Sequence, residues 1–245
     1  MKLLTVGGAG YVGSIVVPTF EKEFECKHFD IKPVRGYEDH TIMADVADEE
    51  KVRQAVVGMD AVLYLAMGVG ENTPDHRKRV NCNDDVNAAF DVNVRGLYRF
   101  LYLSLNAGVK RFVYISTLSV YKNLADNTVF DESRPADAWN PYGLSKRVGE
   151  FICGCAAQAH DSACVTAIRL IYPRNENDWP KYRYDLQKPK NSCATGPNDT
   201  RRLFLATVNF DKPGFHLLQA SGDMEGKFYP NKRVNELLGW LPRNE

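Results

Sequence analysis

Along the first two-thirds of the chain, two kinds of apolar pattern alternate. Short segments of strand character occupy residues 2–6, 25–30, 61–65, 111–116 and 164–170. Most are apolar nearly throughout, as strands buried on both faces are. Between them lie longer segments, 11–22, 48–57, 85–107 and 141–160, with helical spacing. In the third of these, Phe90, Val94, Leu97, Leu101 and Leu105 recur at steps of four and three, which predicts one apolar helix face. Gly108 follows where a C-terminal cap belongs. Strands alternating with helices predict an α/β fold, a doubly wound parallel sheet with helices on both sides. Ligands of such sheets bind beyond the carboxyl ends of the strands.

After about residue 172 the pattern changes. Residues 173–200 are rich in Pro, Asn, Asp, Lys and Arg, with Trp179, Tyr182 and Tyr184 interspersed. This predicts a long irregular segment, and such segments often carry function. A helix near 200–209, a strand near 214–218 and a last helix near 231–239 complete the chain. The whole of 1–245 reads as one domain, with a core over 1–170 and a smaller part over 171–245.

The first strand runs directly into Gly7-Gly8-Ala9-Gly10-Tyr11-Val12-Gly13. A strand, a glycine turn and a helix start bring backbone N–H groups and a helix dipole up to a pyrophosphate. Gly7 serves the turn, Gly10 admits the phosphates, and Gly13 lets the helix sit on the sheet. The core is therefore expected to be Rossmann-like and dinucleotide-binding. Asp30 ends the second strand, 17 residues after Gly13, where an acid binds the adenosine ribose hydroxyls. A carboxylate there repels a 2′-phosphate, which favours NAD over NADP, with Lys32 and Arg35 nearby moderating the preference. Asp45 could accept from the adenine amine or cap the helix starting near Asp48. The small residues in Leu65-Ala66-Met67-Gly68 suit either a flat cofactor or tight packing.

Tyr142 and Lys146 stand at i and i+4 on one helical face just after Pro141. An ammonium held beside a phenol favours the phenolate, so the pair reads as a tuned acid/base for moving a hydroxyl proton. The strand over 111–116 delivers Ser116 and Thr117 to its carboxyl end, where Thr117 can orient a substrate oxygen against Tyr142.

Charge balances, 31 basic against 31 acidic residues, which argues against a nucleic-acid or anionic-membrane partner. No apolar run approaches the ~20 residues of a membrane span. The N-terminus enters a strand at once, so no signal peptide is expected. The six cysteines, Cys26, Cys82, Cys153, Cys155, Cys164 and Cys193, show no metal-ligand spacing, since Cys153 and Cys155 point about 200° apart on a helix. They read as reduced thiols of a cytoplasmic protein, with no metal.

Taken in order, these residues resemble the short-chain dehydrogenase/reductase superfamily, and more narrowly its extended, NAD-dependent epimerase/dehydratase branch. The resemblance spans the chain. Besides the glycine turn it rests on Asp45-Val46, Asn93-Val94-Arg95-Gly96, Val113-Tyr114-Ile115-Ser116-Thr117-Leu118-Ser119-Val120-Tyr121, Tyr142-Gly143-Leu144-Ser145-Lys146 and Glu236-Leu237-Leu238-Gly239-Trp240-Leu241-Pro242. It implies bound NAD, held by Gly7, Gly10, Tyr11, Val12, Gly13, Asp30, Asp45, Val46, Leu65, Ala66, Met67 and Lys146. It implies a Thr117/Tyr142/Lys146 catalytic triad supported by Asn93. It also implies a homodimer packed through the helices at 85–107 and 141–160.

Two departures shape the substrate. Dehydratases of the family place Asp-Glu after the Thr, whereas this chain has Leu118-Ser119, which cannot serve elimination. The part beyond Arg169 is also short for a nucleotide grip, and the compact layout resembles uronate dehydrogenases. A sugar acid needs a cation for its carboxylate. Arg174, just beyond the strand ending near Leu170-Ile171, is the first candidate, with Arg183, Arg201 and Arg202 as alternatives and Arg169 as structural. Trp179, Tyr182 and Tyr184 could lid the site or pack the loop, and Ser116 and His76 are possible polar contacts. The expected activity is NAD-dependent oxidation of a CH–OH group on a small sugar, polyol or sugar acid. A nucleotide-sugar epimerase and a non-catalytic NAD(P)-binding protein are the alternatives.

Overall fold

The computed structural model describes residues 1–68, 86–122, 130–182 and 193–245. His76, Cys82, Arg183 and Tyr184 lie outside them. Seven parallel strands form one sheet: β1 (Lys2–Val6), β2 (Glu25–Asp30), β3 (Thr41–Met43), β4 (Ala61–Tyr64), β5 (Arg111–Thr117), β6 (Cys164–Leu170) and β7 (Gly214–Ala220). Their order is β3-β2-β1-β4-β5-β6-β7, so the winding reverses between β1 and β4, as in a Rossmann-like sheet. The helices are α1 (Tyr11–Glu23), α2 (Glu49–Val56), α3 (Val86–Phe90), α4 (Leu97–Asn106), α5 (Pro141–Ala159), α6 (Pro197–Asn209) and α7 (Lys232–Leu238).

The central strands are buried on both faces because each face carries its own helix layer. Leu4, Val6, Val62, Tyr64, Phe112 and Val165 pack against the α2, α4 and α5 side. Leu3, Leu63, Val113, Ile168 and Leu218 pack against the α1, α6 and α7 side. Burial of that kind writes near-continuous apolar runs into the sequence.

Local chemistry sets the helix ends. Asp48 caps α2 by accepting from Lys51 N at 3.0 Å. Asn140 caps α5 by accepting from Gly143 N at 2.8 Å, with Pro141 in the first turn. Gly239, left-handed at φ 65°, stops α7.

Three expectations need correction. β3 pairs with β2 at the sheet edge and was not foreseen; three residues are too few to show a period. The helix near 200–209 begins earlier, at Pro197, behind the N-cap Gly196. The helix near 85–107 is interrupted by a π-helical turn, Asp91–Gly96. That turn rotates the inward face, so Asn93 is fully buried while Phe90 and Val94 stay partly exposed.

Candidate active site

The loop after β1 meets the end of β4 at the switch point. Gly7 adopts φ 89°, and a Cβ there would sit 2.5 Å from Ala66 N. A Cβ on Gly13 would sit 2.2 Å from Gly8 O, so the helix rests directly on the turn. Gly10 differs, since a Cβ there would meet only Gly7 O, at 3.1 Å, within 4 Å. Gly10 is the N-cap of α1; it offers no side-chain cap, and the first turn carries no acid. A helix N-terminus left open in this way suits an anion. Residues fitting a dinucleotide are therefore present.

Asp30 lies beside this cradle. Its Oδ2 accepts from Ala9 N at 2.9 Å and its Oδ1 from Lys32 N at 3.1 Å, which fixes the carboxylate against the loop. Asp45 does not cap α2; it accepts from Ala47 N at 2.7 Å. The Val46 side chain packs on Gly96, and its carbonyl accepts from Arg99 Nη1 at 2.7 Å. Tyr11 and Val12 pack partly on the core beneath α1. Leu65 is buried, whereas Met67 is 36% exposed at the mouth.

β5 and α5 bring the proton-handling groups together. Thr117 closes β5 and Tyr142 opens α5, and the Thr117 side chain stands near enough to the Tyr142 phenol to act on its ionisation. Ser119 N donates to Thr117 Oγ1 at 3.2 Å and holds that hydroxyl in place. Burial pushes the Tyr142 phenol up from its ordinary range, and the neighbouring Thr117 opposes the rise. Lys146 is 1% exposed; its Nζ donates to Ile115 O at 2.9 Å and lies 4.8 Å from the Tyr114 ring centroid. Burial brings the ammonium down to about 7. In this arrangement the Lys146 ammonium is directed to a strand carbonyl.

Asn93 sits in the π turn, a device often found at functional sites. Its Oδ1 accepts from Gly68 N at 3.1 Å, and its Nδ2 donates to Ser145 Oγ at 3.0 Å. Ser145 Oγ in turn donates to Tyr142 O at 2.8 Å. Asn93 thus links the end of β4 to the first turn of α5. Gly68 is required at this junction, because a Cβ would fall 1.7 Å from Ala88 O.

Ser116 is not a pocket residue. It is 3% exposed and donates to Glu150 Oε1 at 2.6 Å. Arg169 is buried against the same carboxylate, as its mid-strand position suggested. Arg201 bonds Ile15 O, Asn198 and Glu176, and Arg202 bonds Asp199 and Leu241 O, so both serve the α6 packing. Arg174 is different. Its guanidinium lies 4.2 Å from the Tyr182 ring centroid and 5.9 Å from that of Tyr172, and, among the described residues, its buried Nε has no hydrogen-bond partner. Trp179 is buried and packs the loop.

Two contributors escaped the sequence. Tyr172 holds a left-handed backbone at φ 41°, which turns the chain between β6 and Arg174. Such strain in a non-glycine residue concentrates at functional sites. The Tyr11 hydroxyl donates to Asp178 Oδ2 and accepts from Asn175 N, both at 3.0 Å, and so ties the Arg174 loop to the cofactor helix.

A family model described as the NAD dependent epimerase/dehydratase family matches residues 3–178. The chain belongs to that family. An N-acetyl-alpha-D-glucosaminyl-diphospho-ditrans,octacis-undecaprenol 4-epimerase of Escherichia coli O157:H7 is 33% identical over 153 residues, 61% of this chain. The match spans only 42% of that relative's length. An NAD-dependent glucose-6-phosphate dehydrogenase of Haloferax volcanii aligns with 99% of this chain and 93% of its own, at 24% identity. Among solved structures, a mutated uronate dehydrogenase superposes with TM-score 0.76 over 99% of this chain and 81% of its own. At 24% identity, that likeness shows the fold that this epimerase/dehydratase family member shares.

Proposed function

We propose that the protein is an NAD-dependent oxidoreductase acting on a CH–OH group of a small sugar, polyol or sugar acid. The meeting of Thr117, at the carboxyl end of β5, with Tyr142, at the start of α5, carries this reading. Thr117 orients the substrate hydroxyl, and Tyr142 takes its proton. Lys146 supplies a buried positive charge one helical turn away, and Asn93 holds the first turn of α5 in register. Bound NAD supplies the acceptor for the hydride leaving carbon. Backbone N–H groups of Gly10, Tyr11, Val12 and Gly13 would hold its pyrophosphate, Asp30 its adenosine ribose, and Leu65, Ala66 and Met67 its flat surface.

Residues 171–245 are read as the substrate-binding part. Arg174 is the carboxylate receptor, because, unlike Arg201 and Arg202, it has no carboxylate partner among the described residues, and two aromatic rings hold its fork. Leu118 stands in the core and Ser119 is bound to Thr117, so neither offers the acids that elimination needs. Likeness to a 4-epimerase favours a second reading, oxidation followed by reduction from the other face. Incubation with NAD and a panel of sugars, sugar phosphates and uronic acids separates the two. The expected result is net NADH absorbance, strongest with an acidic sugar, and a rise of tenfold or more in its KM for Arg174→Met. Epimerised product with no net NADH would replace the dehydrogenase reading.

The outer faces of α4 and α5 expose Tyr98, Tyr102 and Phe151, the last 71% exposed, and the two tyrosines stack at 5.9 Å. Exposed apolar groups gathered on neighbouring helices mark a contact surface, here for a second copy. The 27.6 kDa chain is expected to sediment as a dimer, and Tyr102→Asp/Phe151→Asp as a monomer. A monomeric parent would remove the dimer.

A further inference from the structure

Behind Thr117 and Tyr142 lies a buried ionic cluster that the proposed chemistry leaves unused. Glu150 is 7% exposed and Arg169 3%. Arg169 Nε donates to Glu150 Oε1 at 2.8 Å and Nη2 to Oε2 at 2.7 Å, a two-armed grip. Ser116 Oγ donates to the same Oε1 at 2.6 Å. The third arm, Nη1, donates to the Tyr121 hydroxyl at 2.5 Å, and that hydroxyl donates to Asp131 O at 2.7 Å. The cluster has no loose end.

Its members come from the segments that build the site. Ser116 and Arg169 face each other across β5 and β6. Glu150 stands four residues after Lys146 on α5, on the same helical face. Thr117 is the next residue after Ser116. One carboxylate therefore joins the strand bearing Thr117 to the helix bearing Tyr142 and Lys146.

Stability does not explain the pair. Replacing a buried ion pair by apolar side chains of similar volume is often neutral or stabilising. Apolar side chains could not fix the Ser116 hydroxyl by a directed bond, nor set a negative charge beside Lys146. The groups facing that ammonium are Glu150 and Cys153 from its own helix, and Tyr114 and the Ile115 carbonyl from β5. Among them the Glu150 carboxylate opposes the discharge that burial favours.

We propose that the Glu150–Arg169 pair is a positioning device for the triad. Through Ser116 it locks the end of β5, and hence Thr117, to α5, and it places a carboxylate one helical turn from Lys146 on the same face. The inference rests on the triad reading given above.

Two variants test it. Ser116→Ala cuts only the tie to the strand, and Glu150→Leu/Arg169→Met removes both charges together. Melting temperatures at or near the parent's and parental NAD binding are expected for both. The expected kcat falls about tenfold in Ser116→Ala and about a hundredfold in the double variant, with KM within about twofold. In the double variant the Lys146 amine should titrate at lower pH, followed by NMR of ε-13C-lysine and assigned through Lys146→Met. Parental kcat in Ser116→Ala, or an unmoved Lys146 titration, overturns the proposal. Should the double variant fail to fold, Ser116→Ala and a Lys146 titration in Glu150→Gln decide the matter. A parent that turns over nothing in the substrate panel defeats the oxidoreductase reading alone, and the titration still judges the pair.

Discussion

Tyr142→Phe is expected to abolish turnover while NAD still binds. The substitution removes one oxygen and leaves the ring in place, so α5 and its Asn140 cap are untouched. What disappears is the group that takes the substrate proton and that stands beside Thr117. Loss of a positioned acid/base lowers kcat by about 10²–10⁴-fold, or about 3–5 kcal/mol of barrier. The pH dependence has a definite sign. Oxidation needs the phenolate, and burial raises the Tyr142 phenol above its ordinary range, so parental kcat for oxidation should keep climbing as pH rises through the alkaline range. Reduction needs the protonated phenol and should not show that climb. Residual turnover of Tyr142→Phe should lack the tyrosine limb altogether. Steady-state rates in both directions from pH 6 to 10.5, with NAD binding measured by calorimetry, check both statements. A variant with most of the parental kcat would take Tyr142 out of the mechanism.

The central strands and the principal site could be read from residues because burial on both faces and a glycine turn leave strong marks. β1 and β4 are apolar at successive positions since α-helices cover each side. The missing information is of two kinds. Some features depend on backbone angles that many residues tolerate, such as the π turn that buries Asn93 in place of Val94 and the left-handed Tyr172 before Arg174. Others depend on which partner a polar group finds. Ser116 and Thr117 are neighbours at a strand end, yet alternation sends them to opposite sides. Ser116 shares the face of Tyr114, which lies under Gly149 of α5, and there it meets Glu150. What withdraws Ser116 from the pocket is its bond to a carboxylate two turns along α5, a partner that alternation alone does not name. The orientation of Lys146 towards Ile115 O, by contrast, depends on rotamers inside a packed interior and has no sequence signal.

Gly7→Ala and Gly10→Ala should part company, and the contrast locates the cofactor. At Gly7 an added methyl meets Ala66 N at 2.5 Å and Ala66 Cα at 2.7 Å, main-chain atoms that cannot swing aside. The backbone is also at φ 89°, where a side chain is strained. Strain of about 1–3 kcal/mol and overpacking of about 1–3 kcal/mol add at one position. For a chain of this size that lowers the melting temperature by on the order of 10 °C, and NAD binding should be lost with the turn. At Gly10 the backbone is ordinary, φ −76°, and the methyl meets nothing but Gly7 O at 3.1 Å. Folding should therefore be close to parental. The methyl nonetheless stands in the space before the open N-terminus of α1, where phosphate oxygens must come within hydrogen-bond reach of the N–H groups. NAD affinity should fall at least tenfold, about 1.4 kcal/mol. Melting curves and NADH fluorescence titrations of the two variants give the comparison. If Gly10→Ala bound NAD like the parent, the pyrophosphate would have to lie elsewhere, and the assignment of Asp30 to the adenosine ribose would fall with it.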